Sequence, residues 1–326
     1  MRTIRWGILG SGNIAHRFAR GLSVLPDAEL TAVGSRSVEK ATEFAKEFDI
    51  PNKHGSYIDL ANDPYVDVIY VATPHHFHRE HSILCLKAGK AVLCEKPLAI
   101  NTREVEAIIS CARESKKFLM EAMWTRFLPV MTRVREWLVE GAIGEVRMLT
   151  ADFGFRSGWD PDGRLLNPNM AGGALLDVGV YTVAMASMVF GEQPSRIASL
   201  AHIGETGVDE QAAMLLGYNA GQLAILSCAV RTNTPQEARI MGTEGNIYIP
   251  DFWHATSATL YVSGKDAEQI ELPFDGNGYN YEAAEVMRCL PAGKLESDIM
   301  PLSESLAIME TMDKIRAQWG LRYPME

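Results

Sequence analysis

Short apolar runs alternate with amphipathic stretches along the first 122 residues. Largely apolar runs at Ile4–Leu9, Val66–Ala72 and Ala91–Cys94 are typical of strands that are buried on both faces. Leu30–Gly34 and Lys117–Ala122 are interpreted as two further strands, and segments of helical character lie between the runs. This alternation predicts a doubly wound parallel sheet, in which ligands bind beyond the carboxyl ends of the strands.

The pattern changes in the second half of the chain. Beyond Gly191, short β-rich segments alternate with turns, and two helices close the chain. The segments are about 196–202, 211–218, 222–230, 237–241, 246–249, 259–262 and 269–272, and the helices are about 281–290 and 303–319. This arrangement predicts an antiparallel sheet with one face available to pair with another subunit. We therefore predict an α/β protein with two domains, residues 1–122 and 123–326.

Composition narrows the class of protein. The 326 residues are too many for one ordinary core, and the 47% hydrophobic content is normal for a globular protein. The net charge of −10 argues against a nucleic-acid or anionic-membrane surface. No secretory signal and no apolar run of ~18 residues is visible, so we expect no membrane span. The five cysteines form no C-x-x-C pair, which favours reduced, buried thiols in a cytoplasmic protein.

A glycine turn joins the first strand to the first helix. Gly10-x-Gly12-x-x-Ala15 is the dinucleotide-binding fingerprint in its G-x-G-x-x-A form. Gly10 allows the tight turn, Gly12 lets a pyrophosphate approach the backbone, and Ala15 lets the helix pack close to the strand. The free N–H groups and the positive dipole of the helix then face the phosphates.

The end of the second strand indicates which dinucleotide binds. NAD enzymes usually place an acidic residue there, about 20 residues past the glycines, to bind the ribose hydroxyls. This chain has Ser35 and Arg36 instead, with Lys40 one turn into the next helix. A guanidinium and hydroxyls bind a 2′-phosphate that an acid would repel, so we predict NADP in preference to NAD.

The other strand ends add polar residues at the same predicted edge, at Thr73, Lys96 and Glu121. Four histidines lie just beyond Thr73-Pro74, at His75, His76, His78 and His81. No Cys, Asp or Glu nearby completes a ligand set, so we interpret them as a helix N-terminus above the cofactor and expect no metal ion.

Gly173, Asp177 and Tyr181 fall at i, i+4 and i+8 of a predicted helix that is otherwise apolar. A carboxylate and a phenol on such a helix are costly to bury without partners. A glycine pair at the helix start and an ordinary tyrosine hydrogen bond are the competing interpretations. The polar loop 154–170 before them, with Phe155 and Trp159, is read either as a substrate rim or as a surface excursion.

The end of the fifth strand resembles a known family. The run Ala88–Leu98, with Glu95-Lys96-Pro97, is similar to the signature of the glucose–fructose oxidoreductase/inositol dehydrogenase/rhizopine catabolism (Gfo/Idh/MocA) family. The glycine loop and the Thr73-Pro74 stretch with His78 match too, and the resemblance covers essentially the whole chain. It implies a Rossmann domain followed by an α+β domain with an open, mostly antiparallel sheet, which often forms an oligomer interface. It also implies that Lys96 lies beside the nicotinamide and the substrate.

Glu121–Pro129 narrows the resemblance to the branch of dimeric dihydrodiol dehydrogenases and NADP-dependent D-xylose dehydrogenases. Other members of the family carry an Asp and a His at the places of Asp177 and Tyr181, and this branch has Tyr. The resemblance therefore implies a homodimer or higher homo-oligomer and an NADP-dependent oxidation of a cyclic trans-diol or an aldose. A keto-sugar reductase and a non-enzymatic NADP(H)-sensing regulator are the alternatives.

The motifs and the resemblance together assign the site residues. The cofactor contacts are Gly10, Ser11, Gly12, Asn13, Ile14, Ser35, Arg36, Lys40, Thr73, Pro74, His75, His78, Glu95, Lys96, Trp124 and Arg126. The substrate contacts are Trp124, Arg126, Phe153, Phe155, Trp159, Asp177 and Tyr181. Catalysis is assigned to Lys96, Asp177 and Tyr181, with Tyr181 as the proton acceptor or, in the alternative, Lys96. Asp177 would orient a neighbouring hydroxyl or Lys96.

Overall fold

The computed structural model describes residues 3–326. The chain forms two compact units. Unit 1 comprises the residues up to Phe127 together with Asp275–Leu306, and unit 2 comprises Leu128–Phe274 and Ala307–Glu326. The sequence prediction had a single division after residue 122, whereas here a late segment returns to the first unit. Hydrophobic periodicity shows that such a segment has a core face, but it does not show which core that face joins.

Unit 1 contains a six-stranded sheet in the order β3-β2-β1-β4-β5-β6, with every neighbouring pair parallel. The strands are β1 Ile4–Leu9, β2 Ala28–Gly34, β3 Asn52–His54, β4 Val68–Val71, β5 Ala91–Glu95 and β6 Leu119–Ala122. The helices are α1 Asn13–Leu22, α2 Val38–Glu47, α3 Tyr57–Ala61, α4 His78–Lys87, α5 Thr102–Ser115 and, from the returning segment, α8 Tyr279–Cys289. The predicted doubly wound parallel sheet is confirmed.

The central strands are apolar because both of their faces are covered. Every residue of β4 and β5 is buried, as in parallel sheets with helices on both sides. β3 and α3 were not predicted. β3 has no apolar pattern, since Asn52 and His54 bond the Asp63 carboxylate at 3.0 and 2.9 Å instead of packing in the core.

Unit 2 contains an eight-stranded sheet in the order β14-β13-β12-β11-β7-β10-β9-β8. The strands are β7 Val146–Gly154, β8 Arg196–Ile203, β9 Asp209–Gly217, β10 Leu223–Ala229, β11 Ala238–Gly242, β12 Gly245–Ile249, β13 Ser257–Val262 and β14 Glu268–Glu271. β7 and β10 are parallel and the other neighbours are antiparallel, which confirms the mostly antiparallel sheet. The remaining helices are α6 Pro129–Val139, α7 Val180–Phe190 and α9 Leu302–Trp319, which crosses the division between Leu306 and Ala307.

The helix predicted to carry Gly173, Asp177 and Tyr181 begins later than expected. Gly173 has φ +122° and lies before the helix, so it does not share a helical face with the other two residues. A π-helical turn, Leu175–Gly179, precedes α7 and holds Asp177. Such turns are rare and occur frequently at functional sites.

One stretch of unit 2 is long and apolar enough to cross a membrane by length and composition. It spans Pro168–Phe190, with a mean hydropathy of 1.6, and corrects the expectation that no apolar run reaches that length. However, 78% of this apolar window is buried inside the fold. It therefore has the character of a core helix, covering the sheet at β7 and β10.

Candidate active site

The glycine loop of unit 1 has the geometry that the fingerprint requires. Gly10 has φ +107°, and a Cβ there would lie 3.0 Å from the carbonyl oxygen of Ala72. A Cβ at Gly12 would meet nothing within 4 Å, so the space above this residue is open. Gly12 precedes α1, whose first turn from Asn13 and Ile14 has no side-chain cap and no acidic residue. The N–H groups at the start of α1 are therefore suited to bind a phosphate.

Ser35 and Arg36 lie beside this loop, at the end of β2. The hydroxyls of Ser11 and Ser35 are 3.0 Å apart, which joins the ends of β1 and β2. Arg36 and Lys40 are exposed, and Arg36 makes no ion pair with any residue from 3 to 326. No acidic side chain occupies the end of β2, where NAD enzymes usually place one.

His78 joins two strand-end loops. Its ring nitrogens lie 2.7 Å from the carbonyl oxygen of Thr73, after β4, and 2.8 Å from that of Pro97, after β5. Burial lowers the pKa of His78 to about 4, although both carbonyls oppose that shift. The neutral ring has one N–H and donates to one carbonyl at a time. His78 is thus placed to position the loops that the sequence assigned to the cofactor.

The residues around His78 are also engaged. Pro74 precedes a short 3₁₀ turn that begins at His75, which is buried. The Thr73 hydroxyl lies 3.0 Å from the Nδ1 atom of His81. The contacts of His78 and His81 join strand-end loops, and contact of His75 and His78 with the cofactor stays a prediction. Among residues 3–326 no group of His, Cys, Asp and Glu side chains is arranged to hold a metal ion.

Lys96 follows β5 and is partly exposed, whereas Glu95 is buried beneath it. Glu95 accepts a hydrogen bond from the hydroxyl of Tyr70, on β4, and another from the backbone N–H of Lys96 at 3.2 Å. The carboxylate therefore holds the backbone from which the Lys96 side chain projects. The peptide bond between Lys96 and Pro97 is cis.

Glu121, at the end of β6, supports the same turn. Its Oε1 atom accepts the N–H of Leu98 at 3.0 Å, two residues past Lys96. Burial raises the pKa of Glu121 to about 7, opposed by the N–H of Leu98 and the charge of Arg126. The carboxyl groups of Glu95 and Glu121 thus hold the two sides of the Lys96 turn.

Trp124 and Arg126 were both assigned to the cofactor and the substrate. Trp124 stacks on Tyr279 with ring centroids 4.6 Å apart and an interplanar angle of 14°. Arg126 is 4% exposed and its guanidinium donates to Glu304 at 2.5 Å. This ion pair supports a structural role for Arg126 within unit 1, and its contact with a substrate stays a prediction.

Asp177 of unit 2 has a partner that the sequence did not indicate. Arg164, from the polar loop, donates to Oδ1 of Asp177 at 2.6 Å. Asp177 is 8% exposed, so the pair satisfies a carboxylate that is costly to bury alone. Part of the loop 154–170 is therefore tied to the start of the helix, and its role as a substrate rim stays a prediction.

Tyr181 lies against a group of aromatic rings on the sheet of unit 2. Its ring centroid is 5.3 Å from that of Phe153, on β7. Phe153 stacks on Trp253 at 4.9 Å and 16°, and Phe155 is 6.5 Å away. The indole N–H of Trp253 donates to the side chain of Gln236 at 2.8 Å, which fixes the ring orientation. We call Phe153, Phe155, Tyr181 and Trp253 the aromatic cluster.

Trp159 is not part of the aromatic cluster. It is 50% exposed, and the guanidinium of Arg231 lies over its ring at 5.4 Å. Trp253 was missed by the sequence analysis. It stands in Asp251–His254, between β12 and β13, and the aromatic Phe-Trp-His run there was the available signal.

Glu282, from the returning segment of unit 1, was also missed. It is fully buried, and neither of its carboxyl oxygens has a hydrogen-bond partner within residues 3–326. Burial and then the charge of Glu95 raise the pKa of Glu282 well above its usual value. Burial and the charge of Glu95 thus both favour the protonated form of Glu282.

Two segments of the chain match the models of one protein family. Residues 4–123 match the family described as an oxidoreductase family with an NAD-binding Rossmann fold. Residues 131–248 match the GFO/IDH/MocA C-terminal domain. A trans-1,2-dihydrobenzene-1,2-diol dehydrogenase of Mus musculus is 42% identical over 334 residues, covering 99% of both chains. The Homo sapiens protein of the same name is 38% identical over 332 residues, again covering 99% of both.

Two solved structures are similar over nearly the whole chain. An aldose-aldose oxidoreductase from Caulobacter crescentus, complexed with glycerol, has a TM-score of 0.90 and 25% identity and covers 98% of both chains. A 3-ketoreductase from Actinomadura kijaniata, in complex with NADP and TDP-benzene, has a TM-score of 0.86 and 27% identity. That match covers 97% of this chain and 98% of the ketoreductase.

Proposed function

The chain belongs to the Gfo/Idh/MocA family of oxidoreductases, and from that premise we propose that it is an NADP-dependent dehydrogenase of cyclic trans-diols or D-xylose-like aldoses. The reaction removes a hydride from a carbinol carbon and a proton from its hydroxyl. The bound nicotinamide of NADP⁺ supplies the hydride acceptor. Proton transfer and the orientation of the substrate are assigned to side chains of this chain.

The packing of Tyr181 within the aromatic cluster is the observation that carries this proposal. Phe153 is buried, and the half-buried Trp253 stacks on both Phe153 and His254, so these rings form an apolar wall beside the Tyr181 phenol. An apolar wall next to a phenol suits a cyclic diol or a pyranose ring, since its C–H groups are apolar and its hydroxyls need polar partners. The 42% identity to a dihydrodiol dehydrogenase supports the same substrate class.

The substrate class is tested by NADP⁺ reduction, followed by the absorbance of NADPH. A trans-dihydrodiol of benzene, D-xylose, D-glucose and myo-inositol are compared under identical conditions. We expect turnover with the dihydrodiol or D-xylose and at least about tenfold lower kcat/KM with myo-inositol, because Tyr181 replaces the family's His. Equal or better turnover of myo-inositol would contradict the proposal.

A reductase of keto sugars is the second candidate. The similarity to the ketoreductase from Actinomadura kijaniata favours it, and the same residues serve both directions of the reaction. Oxidation of NADPH by a keto sugar, without measurable oxidation of the four alcohols, would replace the first candidate by this one.

The preference for NADP is proposed from the end of β2. Arg36 is exposed and has no ion-pair partner within residues 3–326, and Ser35 and Lys40 are close in sequence. A guanidinium and a hydroxyl would bind the 2′-phosphate by charge-assisted hydrogen bonds, and no acid at the end of β2 would repel it.

Arg36→Glu should reverse this preference. We expect the KM for NADP⁺ to rise ~10- to 100-fold, because a charge-assisted hydrogen bond contributes about 1.5–3 kcal/mol, while the KM for NAD⁺ stays constant or falls. Arg113→Glu, a change at an exposed arginine on α5, is the matched control and should alter neither value. An equal change in KM for both coenzymes would contradict the assignment of Arg36 to the 2′-phosphate.

Tyr181 is proposed as the group that accepts the hydroxyl proton. The phenolate oxygen would take the proton while the Lys96 ammonium hydrogen-bonds the substrate oxygen and stabilises its developing charge. A free tyrosine has a pKa of ~10, so this step requires a positive charge that lowers the pKa of the phenol. Asp177, paired with Arg164, would accept a hydrogen bond from the neighbouring substrate hydroxyl. The reverse assignment makes Lys96 the proton acceptor and Tyr181 the orienting group.

Tyr181→Phe and Lys96→Met should each lower kcat by ~10²-fold or more, because each removes a group that acts on the reacting hydroxyl. The Kd of NADPH should stay within about threefold for Tyr181→Phe. Tyr261→Phe and Lys87→Met, at exposed positions, are the matched controls. If Tyr181→Phe keeps the pH dependence of kcat/KM and Lys96→Met removes it, Lys96 is the proton acceptor. Near-normal kcat in both variants would overturn the mechanism.

A homodimer through the sheet of unit 2 is proposed from one exposed apolar face. Leu200 is 81% exposed, Leu215 is 51% exposed and Ile225 is 42% exposed. Leu215 and Ile225 are directly opposite partners on β9 and β10, and Leu200 on β8 lies opposite Ala213. Side chains of paired residues point to the same face, so these three form one apolar patch. A second copy would remove it from water.

The double variant Leu215→Glu/Ile225→Glu should be monomeric at micromolar concentration, because its charges would be buried without partners in the interface. Sedimentation of the wild type is expected to give a dimer. Val139→Glu places a charge at an exposed residue of α6, outside the apolar patch, and should remain dimeric. A monomeric wild type, or a double variant that is still dimeric, would refute the interface.

A cytoplasmic location stays a prediction that subcellular fractionation would check. The five cysteines are free and buried in the structure, in keeping with a reducing compartment.

A further inference from the structure

Asp209 is a fully buried carboxyl group that the proposed mechanism does not use. It is the first residue of β9 and is 0% exposed. Its Oδ2 atom accepts the backbone N–H of Leu175 at 2.7 Å. Its Oδ1 atom has no hydrogen-bond partner among residues 3–326. A buried acid with one unsatisfied oxygen is unfavourable by itself, so its position calls for a physical reason.

The carboxyl group lies against the bend that starts the helix of Asp177 and Tyr181. Gly173 has φ +122°, and a Cβ there would overlap the Asp209 carboxyl group, so these two residues are in close contact. The same bend is held by a hydrogen bond of 2.8 Å from Gly173 N–H to the Leu165 carbonyl. A second bond of 2.8 Å joins the hydroxyl of Tyr323 to the Gly172 carbonyl.

The helix start depends on this contact because it has no local cap. The π-helical turn Leu175–Gly179 begins after Ala174, whose side chain makes no capping hydrogen bond to the N–H groups of the turn. The first N–H groups of a helix have no intrahelical partner, and a nearby carboxylate usually satisfies one of them. Here the carboxylate comes from residue 209, 34 positions along the chain from Leu175.

Burial and the neighbouring polar groups have opposite effects on the pKa of Asp209. Burial raises the pKa of Asp209 to about 7, while the N–H of Leu175 and the guanidinium of Arg316 act against that rise. Arg316 is itself paired with Asp313 and Glu326. Tyr323 and Cys228, which also face Asp209, are neutral because burial raises the pKa of each. The carbonyl oxygen of the carboxyl group can accept the Leu175 N–H in either protonation state.

We propose that Asp209 is a positioning residue, whose oxygen sets the first turn of the Leu175–Phe190 helix and thereby the placement of Asp177 and Tyr181. The inference rests on the proposed function, in which both of those residues act on the substrate. Residue 209 must then provide a hydrogen-bond acceptor at a fixed distance, and it need not carry a charge.

Three variants separate acceptor geometry from charge. Asp209→Asn keeps an acceptor at the same distance and removes the charge. Asp209→Glu keeps the charge and moves the oxygens outward by one methylene, and Asp209→Ala removes the group. Glu210→Gln is the matched control, since Glu210 is the next residue of β9 and lies 3.8 Å from Arg231. Amide hydrogen exchange of residues 172–181 and steady-state kinetics are measured on each folded variant.

We expect Asp209→Ala and Asp209→Glu to accelerate exchange in residues 172–181 at least about tenfold and to lower kcat at least about tenfold, with the KM for NADP⁺ within about twofold. Asp209→Asn and Glu210→Gln should match the wild type within about threefold in both measurements. A general loss of stability would not spare Asp209→Asn. It would also not lower kcat in the Ala and Glu variants while leaving the KM for NADP⁺ unchanged.

Wild-type exchange and kcat in Asp209→Ala would overturn the proposal. Equal losses in Asp209→Asn and Asp209→Ala, or wild-type behaviour of Asp209→Glu with loss in Asp209→Asn, would also overturn it, because charge would then matter. If Asp209→Ala does not fold, the Asn and Glu variants decide the question. The exchange measurement needs no substrate, so a wild type without dehydrogenase activity would refute the proposed function and leave the test of the helix start in place.

Discussion

Burial of both faces of the parallel sheet is the constraint on which the chemistry of unit 1 depends. The central strands consist of buried apolar residues, so their polar neighbours can meet ligands only where the strands end. The loops at those ends then need internal support, because each carries backbone groups that must be satisfied. His78 bridges the loops after β4 and β5, and Glu95 and Glu121 hold the two sides of the Lys96 turn.

In unit 2, the polar residues that need support lie on a helix that starts within the core. The helix is apolar and covers the sheet, yet it carries a carboxylate and a phenol near its start. Arg164 neutralises Asp177, the other rings of the aromatic cluster pack on Tyr181, and Asp209 caps the first turn. Each of these partners comes from another element of unit 2. Placement of the two polar residues is therefore a property of the folded unit and not of the helix alone.

Most of the fold was predictable because the local patterns agree with the tertiary structure. The apolar strands, the glycine turn and the alternation in the second half all indicate elements that the structure contains. The failures share a cause. β3 is stabilised by side-chain contacts to Asp63, and the helix of Tyr181 begins after Gly173 because Gly173 takes a positive φ against a distant carboxyl group. Periodicity cannot report contacts of that range.

The sequence by itself determined the fold class, the glycine loop at the first strand end, and the chemistry available at positions 36, 96, 177 and 181. These follow from hydrophobic periodicity, from the steric freedom of glycine and from side-chain type, which are local properties. Only the tertiary structure decided that Arg126 pairs with Glu304, that Trp253 joins Phe153, and that a buried Asp209 caps Leu175. Such pairings join residues far apart in the chain, and a buried polar group takes whichever partner the packing brings within hydrogen-bond distance.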